Sequence, residues 1–176
     1  VLERFRPETD LFVFSNVSMD TLDYTSGKVN EGSKAIMLGL GQPMRKLPRE
    51  FKGNWQGRAE VFCGGCLVLQ GGASAEDVAR DPLFAEWPLI VLHDDAGVAR
   101  SSTDFLWATW TRFEPASDIY AARTEVKRHH LVYTGPIVID ARTKPGFPDE
   151  LIVRDDIKAL VDRRWNEYFS RGSHGF

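Results

Sequence analysis

The segment Pro88–Ile119 constrains the fold most, because it combines a buried strand, an acidic strand end and an aromatic helix. The aliphatic run Leu89–Leu92 follows the proline, and a short continuous apolar run is typical of a strand covered on both faces. Polar residues end this strand. Ser101 then offers a cap for a helix, which is predicted to end at Glu114 because Pro115 cannot continue it. The segment therefore predicts a strand followed by a helix.

Further apolar runs predict the rest of the sheet. They indicate strands at 10–14, 32–41, 59–70 and 136–140, whereas 15–25 is expected to be a loop and 123–131 a charged, exposed stretch. The Gly64 and Gly65 pair inside the run 59–70 predicts either a bulge or a close backbone approach within a single strand. All of these strands are expected to contribute to one sheet.

Capping residues and helical spacing predict two helices besides the central one. Ser74 caps a helix that runs to about Arg80, and apolar residues at three- and four-residue steps from Ile157 to Phe169 indicate a final amphipathic helix. The predicted fold class is α/β (α+β). It is a single domain over residues 1–176, with a mixed sheet of four or five strands and two to three helices packed on it.

The composition indicates an ordinary soluble domain. With 43% hydrophobic and 27% charged residues in a chain of 176, a sizeable core can form. The net charge of -3 and the absence of a Lys/Arg cluster in the sequence give no electrostatic reason to bind nucleic acid. No apolar run approaches the ~18–20 residues that cross a bilayer, so a membrane is not an expected partner. Two cysteines form no disulfide framework, which makes the cytoplasm the expected compartment.

Several motifs, taken in order along the chain, resemble one known family. They are the strand end HDD with FLWATWTR and EPASDIY, then YTGPIVIDARTKPGFPDEL at 133–151, and ALVDRRWNEYF at 159–169. These motifs are similar to the C-terminal region of the UbiD family, the 3-polyprenyl-4-hydroxybenzoate decarboxylase type of aromatic-acid decarboxylases. SNVSMDTLDYTSGKVNEGSKAIMLGLG at 15–41 resembles one branch of the family. Together the motifs span most of the chain.

The resemblance implies that the chain is the C-terminal domain, or a small subunit, of a decarboxylase. Members of the family are much longer and use prenylated FMN, with a metal ion, to add or remove carboxylate on aromatic or unsaturated acids. Their catalytic arginine and two carboxylates lie in an N-terminal flavin-binding domain, which has no recognisable counterpart in this sequence. The C-terminal domain mainly forms the oligomer and closes over the active site.

The resemblance also sets expectations for ligands and partners. We expect no catalytic residue, no metal ligand and no cofactor bound by this chain alone, with prenylated FMN present in the whole enzyme. The expected partners are further copies of the chain or a flavin-binding decarboxylase domain or subunit, and the whole enzyme would act on an aromatic acid. A non-catalytic interaction or regulatory protein built on the same domain is the alternative.

Four aromatic residues in and after the central helix are candidates for an interface. They are Phe105, Trp107, Trp110 and Phe113. Because they spread around most of the helix, it must be covered on more than one side. Large aromatic residues dominate the energetics of protein interfaces, so one interpretation is that a second subunit buries the outer side of this helix. The alternative interpretation is that all four residues pack in the core of this chain.

Cys63 and Cys66 form a C-x-x-C motif, which can ligate zinc or exchange disulfides. Zinc requires two further ligands, and the adjacent His129 and His130 lie far along the chain. A redox motif is expected at a helix N-terminus that lowers a thiol pKa, whereas this one falls inside the predicted strand 59–70. Buried, inert cysteines in a core strand are the favoured interpretation.

Two further motifs are better explained by structure than by chemistry. The string at 27–34 resembles a phosphate-binding loop, but its serine precedes the lysine instead of following it. Asp94 and Asp95, with Asp104 nearby, suggest paired carboxylates. Neighbours on a strand point to opposite faces, so strand-end and turn roles are favoured for these residues.

Overall fold

The computed structural model describes residues 1–149 and 152–168. Over these residues the chain forms five α-helices, two short 3₁₀ helices and seven strands. The helices are α1 (Pro7–Asp10), α2 (Ala75–Arg80), α3 (Ser102–Trp110), α4 (Pro115–Asp118) and α5 (Asp155–Tyr168). The strands are β1 (Leu11–Ser18), β2 (Glu31–Met37), β3 (Arg58–Cys63), β4 (Cys66–Gln70), β5 (Leu89–Leu92), β6 (Ile119–Lys127) and β7 (His130–Asp140). None of these five helices is long and apolar enough to cross a bilayer.

A five-stranded mixed sheet forms the centre of the fold, in the order β3-β4-β5-β7-β6. The three inner strands are parallel, and the two edge strands pair antiparallel to their neighbours. Side chains of the inner strands alternate between two buried clusters. One cluster contains Phe105 and Phe113, and the other contains Val78, Phe84 and Trp87. The predicted fold class is confirmed, and the apolar run Leu89–Leu92 is the central strand.

The first two strands differ from the prediction of a single sheet. β1 and β2 pair with each other as a separate two-stranded antiparallel sheet. β1 continues to Ser18, so the first residues of the predicted loop 15–25 are extended. The register shifts between Phe14 and Val17, where Asn16 adopts a φ of 55°, and such a bulge bends the strand.

The predicted single strand over 59–70 is wrong, because the chain reverses direction within it. β3 and β4 form a hairpin around Gly64 and Gly65, and Gly65 has a φ of +84°. A two-residue hairpin loop requires such left-handed conformations, which glycine adopts without steric cost. The glycine pair therefore forms a turn and not a bulge.

The charged stretch 123–131 is a second hairpin. β6 is the edge strand of the sheet, and charged side chains are common on edges that face solvent. Arg128 and His129 form its turn with φ values of 51° and 65°. The predicted end of the central helix at Glu114 is also wrong, because α3 ends at Trp110 and Pro115 begins α4. Proline suits that first helical position.

The final helix is confirmed as α5, but no residue of it is buried. Ile157, Leu160 and Tyr168, which belong to its predicted apolar face, are all exposed. Phe169, the last residue of the predicted helix, lies outside the described residues. The helix therefore adds no buried side chain to the core of the described residues.

Ser74 caps α2 as predicted, and its replacement by alanine is expected to lower the free energy of unfolding by about 1 kcal/mol. The Ser74 Oγ accepts a hydrogen bond from the Asp77 amide at 3.1 Å, and alanine leaves that amide without its partner. Urea denaturation of the full chain measures the change. Ser117→Ala, which removes a hydroxyl bonded to Glu114 of the preceding turn, should change stability by about 0.5 kcal/mol or less. If Ser74→Ala lowers the free energy of unfolding no more than Ser117→Ala does, the capping hydrogen bond does not stabilise α2 as predicted.

Candidate functional site

A polar cluster lies at the carboxyl ends of the parallel strands β5 and β7. In open parallel sheets this edge is where functional side chains collect. The cluster consists of His93, Asp94, Arg112, Asp118, Asp140, Arg142 and Lys144. Its residues come from the two strand ends, from the chain after α3, and from α4. The cluster thus joins the sheet to the elements beside α3.

Asp140 and Arg142 form a two-pronged ion pair within this cluster. The Arg142 Nε donates to Asp140 Oδ1 at 2.9 Å, and Nη2 donates to Oδ2 at 2.5 Å. Burial raises the pKa of the Asp140 carboxyl, but hydrogen bonds from Arg142 hold this pKa below its usual value. The Arg142 Nη1 also donates to the carbonyl oxygens of Gly71 and Ala73 at 3.3 Å and 3.0 Å. The guanidinium therefore fixes the loop after β4 to the end of β7.

Lys144 connects three elements through its ammonium group. Its Nζ donates to the carbonyl oxygens of Arg112 at 2.8 Å and Asp140 at 2.7 Å. The same nitrogen lies 3.0 Å from Asp118 Oδ2. The ammonium group therefore makes two hydrogen bonds and one ion pair within the chain. Arg142 and Lys144 thus hold the carboxyl end of β7 and its neighbouring loops together. Both cationic groups are already paired with groups of this chain.

His93 is buried at the same edge. Burial lowers the pKa of its imidazole, so the ring is neutral at pH 7. Its Nδ1 lies 2.9 Å from the Asp95 carbonyl oxygen and 3.0 Å from the Asp95 amide nitrogen, and its Nε2 lies 3.3 Å from the Arg112 Nη1. The Asp94 Oδ2 accepts from the amide and hydroxyl of Thr143 at 2.8 Å and 2.7 Å.

The two aspartates after β5 have different roles. Asp95 Oδ1 accepts from the Gly97 amide at 2.7 Å, which agrees with the predicted turn role. Asp94 instead makes a tertiary contact with Thr143 in the loop after β7. Asp104 follows Ser101, whose Oγ accepts from the Asp104 amide at 3.2 Å and so caps α3 as predicted.

An open groove lies next to the polar cluster, between α3, β2 and the loop after β1. Its volume is about 510 Å³, within the usual range for a site that binds a small molecule. The walls are mostly apolar and aromatic, and include Tyr24, Trp107, Trp110 and Phe113. Lys34 of β2 adds a cation, and Asp23 of the loop after β1 adds a carboxylate.

Buried contacts hold the walls of the groove in place. The Tyr24 ring contacts Phe147 edge-on with centroids 5.1 Å apart, which ties the loop after β1 to the loop after β7. The buried Ser33 Oγ accepts from the Ala116 amide at 2.9 Å, which joins β2 to α4. The Trp110 and Phe113 rings lie 5.3 Å apart. The groove is therefore built on supported elements.

The four candidate interface residues divide into two environments. Phe105 is buried and stacks on Phe62 with centroids 3.7 Å apart, and Phe113 is buried at the base of the groove. Trp107 is 74% exposed and Trp110 is 55% exposed. The first pair therefore belongs to the core of this chain. The second pair forms an aromatic surface at the groove, and its role in an interface stays a prediction.

The remaining sequence motifs lie elsewhere. Cys63 is exposed and Cys66 is buried at the tip of the β3–β4 hairpin, so the prediction of two buried cysteines in a core strand is wrong for Cys63. His129 lies in the β6–β7 turn, and His130 begins β7. Among residues 1–149 and 152–168, no group of three or more His, Cys, Asp or Glu side chains is placed to hold a metal ion.

Arg142, Lys144 and the contribution of Tyr24 to the groove were not predicted from the sequence. The sequence could have indicated Arg142 and Lys144, because they follow the predicted strand 136–140, whose carboxyl end lies beside that of β5. No local signal marked Tyr24. Its position depends on packing between a loop and a helix more than 80 residues later in the chain.

The groove does not fit a whole flavin nucleotide. A flavin mononucleotide requires a cradle of amides or cations for its phosphate. Lys34 is the basic residue among the groove walls, and the nearby cations Arg142 and Lys144 are already paired. The groove can therefore contribute an apolar wall to a larger site.

Comparisons with known proteins identify relatives of the chain. The family model described as 3-octaprenyl-4-hydroxybenzoate carboxy-lyase C-terminal domain matches residues 1–39. A Chlamydia pneumoniae protein named as a subunit of 4-hydroxybenzoate decarboxylase is 41% identical over 178 residues, which cover 96% of this chain and 30% of that protein. An uncharacterized protein of Chlamydia trachomatis is 40% identical over 176 residues, with 96% and 30% covered.

Among solved structures, the open form of vanillic acid decarboxylase from Sedimentibacter hydroxybenzoicus is similar to 61% of this chain and 27% of that chain. The TM-score is 0.35 and the sequence identity is 15%. The chain spans 30% of the length of the two chlamydial relatives. The resemblance to the UbiD family is therefore confirmed, because the model of its C-terminal domain matches residues 1–39 and a protein named as a 4-hydroxybenzoate decarboxylase subunit is similar along 96% of the chain.

Proposed function

We propose that the chain is the C-terminal domain, or a small subunit, of a prenylated-FMN-dependent aromatic-acid decarboxylase or carboxylase. In this proposal it supplies subunit contacts and one wall of the active site. The observation that carries the proposal is the open aromatic groove on a chain 41% identical to a protein named as a 4-hydroxybenzoate decarboxylase subunit. The relative suggests the reaction, and the groove suggests the part that this chain plays.

The exposed tryptophans support a role in assembly. Trp107 and Trp110 present large apolar surfaces to solvent at the edge of the groove. Such a patch is typical of a surface that another protein covers, and tryptophan is enriched at interfaces. The exposed apolar face of α5 is a second surface of this kind. A flavin-binding decarboxylase domain or further copies of the chain would cover both.

The walls of the groove support a role beside an aromatic substrate. Aromatic rings of Tyr24, Trp107 and Trp110 offer stacking surfaces, and Lys34 offers a positive charge to a carboxylate. Covering the groove would exclude water and strengthen that electrostatic interaction. In the proposed enzyme, this chain helps to hold the aromatic acid, whereas the chemistry takes place on the flavin-binding domain.

The test compares the chain alone with a mixture of the chain and a flavin-binding decarboxylase domain. Light scattering measures the mass, visible absorbance detects the flavin, and carbon dioxide release from an aromatic acid measures turnover. We expect the chain alone to be colourless and inactive, and the mixture to form a flavin-containing, active assembly. A chain that stays monomeric and never engages such a domain would contradict the proposal and leave a non-catalytic role.

A further inference from the structure

The tip of the β3–β4 hairpin brings two cysteines together. Cys63 and Cys66 are direct cross-strand partners on either side of the turn formed by Gly64 and Gly65. Residues opposed in an antiparallel pair have Cα atoms about 4.5–5.5 Å apart, which lies within the ~4.4–6.8 Å that a disulfide spans. The pair can therefore be linked with little movement of the backbone.

Contacts from two other segments hold this turn in place. The Gly65 amide donates to the Pro48 carbonyl oxygen at 2.8 Å, and the Leu89 amide donates to the Gly65 carbonyl oxygen at 3.2 Å. The Leu47 side chain packs directly over Gly65. Because the turn is already ordered, the two thiols are held next to each other, and an intramolecular reaction between them is favoured over attack by an external thiol.

The two thiols lie in different environments. Cys63 is exposed, whereas Cys66 is 1% exposed. A hydrogen bond from the Cys66 thiol lowers the pKa of Cys63 to about 7. The same interaction, together with burial, raises the pKa of Cys66. Cys63 therefore has the accessibility and the thiolate character of an attacking thiol, and Cys66 has the position of a resolving thiol.

We propose that Cys63 and Cys66 form a reversible dithiol–disulfide site that exchanges with low-molecular-weight disulfides. The Cys63 thiolate attacks one sulfur of the small disulfide, so that a mixed disulfide forms and one small thiolate leaves. Cys66 then loses its proton and attacks the Cys63 sulfur. The Cys63–Cys66 bond forms, and the second small thiolate leaves. The two thiolates take up the protons released by the cysteines, and two electrons pass from the protein to the small disulfide.

The arrangement favours disulfide exchange over metal binding. Within the described residues, no other His, Cys, Asp or Glu joins the pair in a group that could hold a metal ion, and structural zinc sites require four ligands. The site lies on the hairpin and not on the groove, so the proposal goes beyond the proposed function and does not depend on it.

The test treats the reduced 176-residue chain with oxidised glutathione at pH 7 and measures the intact mass after acid quenching and alkylation. We expect the wild-type chain to lose two hydrogen masses and to retain no glutathione. Cys66→Ser should retain one glutathione on Cys63, because the resolving thiol is missing. Cys63→Ser should gain no adduct, because the remaining thiol is buried. In the reduced wild-type chain, Cys63 should react with iodoacetamide at least ~10-fold faster than Cys66.

Two results would overturn the proposal. One is a wild-type chain that stays reduced, and the other is a wild-type chain that keeps a stable glutathione adduct instead of an internal disulfide. The mass of the wild-type chain alone tests the proposal, so the test remains valid even if Cys66→Ser fails to fold. Cys66→Ala offers a second, apolar replacement at the buried position.

Discussion

Replacing Asp140 with alanine is expected to lower the free energy of unfolding by about 3 kcal/mol. The Asp140 side chain is only 16% exposed and neutralises the Arg142 guanidinium through two hydrogen bonds. Alanine removes that compensation and leaves a largely buried cation facing two backbone carbonyl groups. Urea denaturation of the full chain at pH 7, followed by circular dichroism, measures the loss.

A surface ion pair offers the matched control for this prediction. Asp162 is 62% exposed and pairs with Lys158 one helical turn away at 2.6 Å. Exposed pairs at this spacing contribute ~0.3–0.5 kcal/mol, so Asp162→Ala should have a much smaller effect. If both substitutions lower the free energy of unfolding by the same amount, the Asp140–Arg142 pair stabilises the fold no more than an exposed ion pair does.

The pH dependence of stability gives an independent readout of Asp140. Because hydrogen bonds from Arg142 hold its folded pKa below the ordinary value of 3.8, its stabilising contribution is present above that value. The contribution is lost as the pH falls through the lower, folded-state pKa. As the pH falls through this acidic range, the free energy of unfolding should therefore decrease less for Asp140→Ala than for the wild-type chain.

The central strand and the helix caps could be predicted because their signals are local. Leu89–Leu92 is a continuous apolar run after a proline, and no polar residue interrupts it. Ser74 and Ser101 are capping residues whose bonds reach only three positions along the chain. Such signals do not depend on what the rest of the chain does.

The two hairpins could not be predicted from apolar patterning alone. β3 and β4 are both largely apolar, so the pattern continues across Gly64 and Gly65 without a visible break. The glycine pair is compatible with either a bulge or a turn, and the cross-strand pairing decides between them. In the second hairpin, Arg128 and His129 adopt positive φ without any glycine, which a residue-by-residue interpretation does not anticipate.

The candidate site was only partly visible in the sequence for a similar reason. The aromatic residues of the central helix could be found, but their division between core and surface depends on which elements pack against α3. Phe105 is buried by Phe62 of β3, and the groove beside Trp110 is completed by a loop far away in sequence. Both contacts are non-local and are set by the sheet topology.

Replacing Trp107 with alanine is expected to weaken the association with a flavin-binding decarboxylase domain by roughly 30-fold or more, which corresponds to about 2 kcal/mol. At 74% exposure the indole contributes little to the folded chain alone, so its large apolar surface gains its stabilisation only when a partner covers it. Titration of the chain into the partner domain by calorimetry measures the dissociation constant. Trp110→Ala should act in the same direction.

Two comparisons separate an interface effect from a loss of folding. The unfolding free energy of Trp107→Ala should stay within about 0.5 kcal/mol of the wild-type value, because the side chain is on the surface. Val126→Ala removes another exposed apolar side chain, on the edge strand β6 and outside the groove walls, and should leave the dissociation constant unchanged. If Trp107→Ala binds the partner as tightly as Val126→Ala does, the aromatic groove is not the contact surface. Assembly would then have to use another face, of which the exposed apolar side of α5 is the next to test.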